Sequence, residues 1–69
     1  MANEIGSMKP GDKCLCLIES GDFFEDVIAS IEDVRVFFES SIYIAGENQI
    51  YLWSEARVHR LRERGQLIF

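Results

Sequence analysis

Apolar residues along this chain fall in short bursts between turn-forming clusters, a spacing that predicts strands. Pro10-Gly11-Asp12 closes off what precedes it, because proline fixes φ and glycine accepts positive φ. Residues 13–19 follow as a first strand. Cys14 and Cys16 share one face and Leu15 and Leu17 the other, so this strand either crosses a barrel interior or is covered on both sides. Ser20-Gly21-Asp22 is a turn cluster, and residues 23–31 return as a second strand. Strict alternation there separates Phe23, Glu25, Val27, Ala29 and Ile31 from Phe24, Asp26, Ile28 and Ser30. The odd-numbered set is the more apolar, with Glu25 near its mouth. Phe24, Val27, Ile28 and Ile31 also fit helical spacing, but the β-branched and aromatic content and the flanking turns favour a strand.

Glu32-Asp33 turns the chain into a third strand over residues 34–39, and Ser40-Ser41 marks a break or bulge. Residues 42–44 and 49–53 read as the arms of a hairpin facing each other across Ala45-Gly46-Glu47-Asn48. The C-terminal segment has two readings. Ser54 as N-cap, Glu55 in a first turn and Gly65 at C′ would make residues 55–64 a helix. Val58 and Leu61 alone form a thin apolar stripe, however, which favours one helical turn at 54–57 and a short closing strand at 58–61. Residues 66–69 then read as a final strand or a docked tail. Residues 1–8 are polar and unpatterned, and are expected to be a disordered lead or a tag remnant ahead of a single domain over 9–69. The sum is an all-β fold, an SH3-like small barrel of five antiparallel strands with a short helical turn near the C-terminus.

At 69 residues there is room for one small core. Ordering entropy nearly offsets burial at this size, so a partner or homo-oligomerisation would help. The net charge of −5 is unevenly spread. Residues 1–53 hold ten acids and three bases, a net of −7, whereas residues 54–69 hold four arginines and two acids. The acidic bulk disfavours nucleic acid, except through Arg57, Arg60, Arg62 and Arg64. Cys14 and Cys16 are too close along one strand face to bridge readily, and with one histidine in the chain they cannot complete a zinc site. They are expected to be reduced, packed thiols, with no metal and no cofactor. No basic-then-apolar leader and no long apolar run is present, so the expectation is an intracellular, cytoplasmic protein without membrane association, a nuclear location remaining open.

Gly11-Asp12-Lys13-Cys14 opening a strand, the Ser-Gly-Asp turn, an aromatic at Phe24, and Val27-Ile28-Ala29-Ser30-Ile31 followed by residues 34–38 together resemble the first half of a Tudor domain. The resemblance covers about residues 10–39. It implies an SH3-like barrel that holds a methylated lysine or arginine in a cage of aromatic rings. Phe24 matches the cage aromatic after the first turn, and Phe37 or Phe38 the one ending the third strand. Ile18 stands where the family carries a further aromatic, and the hairpin beyond Phe38 differs from the family's.

Catalytic spacing is absent: there is no paired Cys and His, no Gly-rich phosphate loop and no metal motif, so the chain is expected not to be an enzyme. The expected function is a binding module for a protein or peptide segment, basic or methylated. Phe24, Phe38, Tyr51 and Trp53 would supply its surface, and Asp22, Glu25 and Asp26 its charge. Each aromatic has a competing reading as core, and each acid as a solvated turn. Two other functions fit the composition. A small acidic inhibitor could occupy the basic groove of a nucleic-acid enzyme by mimicking phosphates, as some phage-encoded antagonists do. An assembly subunit could pair through the exposed hairpin.

Overall fold

The computed structural model describes residues 5–68. Five strands, β1 (Lys13–Leu17), β2 (Phe23–Glu32), β3 (Arg35–Phe38), β4 (Ile44–Gly46) and β5 (Ile50–Leu52), are followed by one helix, α1 (Glu55–Glu63). They form a single antiparallel sheet in the order β4-β3-β2-β1-β5, the all-β, small barrel-like arrangement expected.

Strand β1 is covered on both faces, as its composition requires. Cys14, Leu15 and Cys16 are all essentially without solvent exposure. Cys14 and Cys16 point into the main core with Phe24, Ile28, Val36, Phe38, Ala45 and Ile50, while Leu15 points the opposite way into a second cluster with Val58 and Leu61 of α1. Both cysteines are free thiols, and burial pushes both up to about 12. For Cys14 the carboxylates of Asp26 and Asp12 push in the same direction; for Cys16, the neighbouring Cys14 does.

In β2 the structure reverses the expected inward face. Phe24, Asp26 and Ile28 are buried, and the odd-numbered residues lie outside them. A β-bulge follows Ile28. Ile28 pairs with Phe38 but Ser30 pairs with Phe37, leaving exposed Ala29 as an extra residue. One inserted residue flips the parity, so Ile31 packs on the same core as Phe24 and Ile28. No strict period of two describes such a strand.

Residues 42–53 also differ from expectation. The two arms do not pair with each other: β4 pairs with β3, and β5 pairs with β1 on the opposite side of the sheet. The connecting residues Glu47–Gln49 form a 3-10 turn in place of a hairpin loop. Gln49 pins it in three directions. Its Oε1 accepts from the Gly46 N–H at 2.9 Å, and its Nε2 donates to the Leu17 carbonyl at 2.9 Å and to the Tyr43 hydroxyl at 2.7 Å. Tyr43 therefore packs against the main core, not across from Tyr51 or Trp53.

The C-terminal segment is a helix and not a turn plus strand. Ser54 Oγ accepts from the Arg57 N–H at 3.1 Å as N-cap. At the other end Gln66 N donates to Leu61 O and Gly65 N to Arg62 O, a Schellman closure that uses Gly65 at φ 68°. The thin stripe suffices because Val58 and Leu61 seat on a ready-made apolar surface around Leu15. Residues 66–68 dock as a tail, with an isolated parallel bridge between Phe23 and Leu67; Phe69 lies outside the described residues. Of the lead expected over residues 1–8, residues 1–4 lie outside the described residues. Ile5–Ser7 forms a 3-10 turn, and Met8 is buried in the main core.

Two outcomes follow from these interiors. A thiol held protonated to about pH 12 when folded, but titrating near 9 when unfolded, contributes stability that is complete below about pH 9 and lost as pH rises toward 12. Urea melts across that range should show this decline, and a Cys14→Ala/Cys16→Ala variant should show a flatter profile. Asp26, the one buried charged residue among those described, has its Oδ1 accepting from the Val27 N–H at 2.7 Å and the Ser40 N–H at 3.3 Å. Asp26→Ala should therefore cost about 1–3 kcal/mol by chemical denaturation, because two backbone donors lose their acceptor.

Candidate functional site: the groove between sheet and helix

The outer face of β1, β2 and β5 carries a row of side chains set by register. Glu25 and Tyr51 flank Leu15, and Lys13 lies beside Val27 one step along. Helix α1 covers only part of this face. Between the two lies an open groove of about 230 Å³, with Leu15, Phe23, Tyr51 and Leu61 as floor and walls and Arg57, Arg60 and Arg64 along the rim. Phe23 and Tyr51 meet edge to face at 5.7 Å between ring centres.

Helical periodicity puts the arginines there. Residues 57, 60, 61 and 64 fall at i, i+3, i+4 and i+7, one face of a helix. Arg57 is fixed in place, with its guanidinium carbon 5.9 Å from the Tyr51 ring centre and Nη1 donating to the Leu52 carbonyl at 2.9 Å. Arg60 and Arg64 are exposed. No acidic side chain lines the groove. Arg62 faces the opposite flank, where it lines a separate hollow with Trp53, Glu55, Val58 and His59. His59 Nε2 lies 3.4 Å from Glu63 Oε2 on the exposed surface.

The seven candidate ligand residues do not converge on one open site. Phe24 and Phe38 are buried, 5% and 7% exposed, and meet edge to face at 5.2 Å, with Tyr43 edge-on to Phe24 at 5.8 Å. Their rings pack the core in place of a solvent-facing cage, and Ile18 packs beside them. Asp26 is turned inward and bound to backbone. Asp22 is held in the turn, where its carboxylate accepts from Ser20 Oγ at 3.0 Å. Glu25 faces outward and accepts from the Trp53 indole N–H. Trp53 and Tyr51 do share a side, both packing on the second cluster, but the Trp53 ring already carries the Lys13 ammonium at 4.9 Å.

Compared with known proteins, the chain matches no family model, no curated protein and no solved structure. The site must be read from its own geometry. The sequence does not single out Phe23, Leu15 or Leu61 as site residues, and it offers the four arginines as a possible contact for phosphate or an acidic protein without placing them at a groove. Their i, i+3, i+7 spacing becomes informative once residues 55–63 are helical.

Leu61 joins helix to sheet and forms part of the groove. Leu61→Ala should cost about 2–5 kcal/mol, because it leaves a void against Leu15 and Val58. Denaturant melts would measure the loss, and far-UV circular dichroism should show the helix as the part that weakens.

Proposed function

We propose that this protein is a non-enzymatic binding module that takes a protein or peptide segment in the groove between its sheet and α1. The observation that carries this reading is the groove itself, where the half-buried rings of Phe23 and Tyr51 lie over buried Leu15 and Leu61 beside a charged rim. Its volume lies below the range usual for pockets that enclose a small-molecule ligand, and suits one or two side chains of a longer segment. Two aromatic rings at its floor, Phe23 and Tyr51, offer the kind of rigid contact area on which peptide anchors settle. In this proposal the Tudor-like barrel is a scaffold whose recognition surface is moved from the ring cluster of Phe24, Phe38 and Tyr43 to the helix side.

A second reading, an assembly subunit, is favoured by one observation. Val34, Ile42 and Ile44 are exposed near β4, which among the described residues pairs only with β3. An edge of that kind is open to strand pairing with another chain.

Panning a displayed random-peptide library against the protein, then titrating selected peptides into isotope-labelled protein, separates the two. Shift changes centred on Leu15, Phe23, Tyr51 and Leu61 are expected. Failure to enrich any peptide would remove the binding-module reading. Shifts confined to residues 34–46, or a sedimentation mass that doubles with concentration, would instead favour assembly.

A further inference from the structure

The charge around the groove is opposite to the charge of the protein. Residues 1–53 carry a net of −7, yet the rim of the groove presents three guanidinium groups and none of its lining residues is acidic. Like charges gathered on one helix face repel one another, so an arrangement of this kind is relieved by an anion. The acids on α1 do not supply it: Glu63 is next to His59, and Glu55 lines the opposite flank. Among the described residues, neither the Arg60 nor the Arg64 guanidinium has a carboxylate partner.

Resting on the binding-module reading, we infer that the occupant of this groove is an acidic peptide segment with an apolar anchor. The anchor side chain would insert over Leu15, Phe23 and Tyr51, and carboxylates on either side of it would meet the arginine rim. The geometry sets the spacing. Arg60 and Arg64 are four residues apart along the chain, which is about 6 Å at 1.5 Å per residue. An extended chain advances about 3.3 Å per residue and its side chains alternate, so two carboxylates two residues apart face these arginines while the anchor between them faces the floor. Arginine suits the role, since its planar fork can take a carboxylate with two parallel hydrogen bonds. Arg57, held by the Leu52 carbonyl and the Tyr51 ring, would form a fixed wall of the groove beside Arg60 and Arg64.

Nucleic acid is the competing anion, and two observations weigh against it. The rim offers one short row of charges on an otherwise acidic molecule, and long-range repulsion from residues 1–53 opposes a polyanion far more than it opposes a segment with two or three carboxylates. The floor also demands an apolar group between the charges, which a phosphate backbone does not place there.

The test uses the intact chain and five probes: matched short peptides with acids flanking Leu or Phe, with the acids replaced by amides, with the acids replaced by lysines, and with the anchor replaced by Ala, together with a single-stranded oligonucleotide. Calorimetry or fluorescence anisotropy should show binding of the first peptide alone, weakened at least about tenfold on raising salt from about 0.05 to about 0.5 M. An Arg60→Glu/Arg64→Glu variant should lose about tenfold or more in affinity while staying folded, with a melting temperature lowered modestly because two carboxylates then face the C-terminal end of α1. An Arg60→Lys/Arg64→Lys variant should keep part of the binding. Equal affinity for the amide or lysine peptides, or no effect of charge reversal on peptides selected from the library, would overturn the inference and leave the binding module standing. Tighter binding of the oligonucleotide would overturn it in favour of nucleic acid. If neither these peptides nor any library peptide binds, the module reading itself falls.

Discussion

The whole structure depends on β1 being buried on both faces. An outward Leu15 on an otherwise half-exposed sheet needs cover, and α1 with the tail supplies it. The inward Cys14 and Cys16 are small enough to let β2, β3 and β5 close around them with Phe24, Ile28, Val36 and Ile50. Two small cores therefore share one strand, and neither has the size to stand alone. A change at Leu15 would loosen the helix, whereas a change at Cys14 or Cys16 would disturb the barrel.

That division also assigns the polar groups. On the inner side the charged Asp26 is tolerated because backbone N–H groups satisfy it, which uses the carboxylate to tie β2 to the chain after β3. On the outer side the helix buries Leu15 but leaves Phe23 and Tyr51 half-buried, and the groove lies beside these two rings. The groove is thus a consequence of how a nine-residue helix lies on a sheet, with its length limited by the Ser54 cap and the Gly65 closure. A longer helix would bury more of the floor and a shorter one would lose Leu61.

In the proposed function, electrostatics would give this groove its selectivity. A chain with net charge −5 repels polyanions over distances near the screening length, but at the groove the nearby guanidinium groups dominate. Such a separation of short-range attraction from long-range repulsion suits a modest, salt-sensitive contact with a short acidic segment.

Much of the architecture is written in local pattern. Turn clusters at residues 10–12, 20–22 and 32–33 delimit the first three strands, and the double-faced apolar content of residues 14–17 requires cover on both sides, because a strand's side chains alternate whatever its neighbours are. Ser54 and Gly65 likewise mark both ends of α1. What tertiary structure alone decides is which of several locally adequate choices is kept. Pairing with β1 turns Phe24 into the core and Phe23 towards the groove, and the bulge at Ala29 then brings Ile31 onto the core side as well. β4 and β5 take partners on opposite sides of the sheet, β4 extending it from β3 and β5 from β1. Val58 and Leu61 hold a helix only because Leu15 is there to receive them. Each of these outcomes is a comparison between packing partners distant in sequence, and local periodicity carries no information about partners it does not contain.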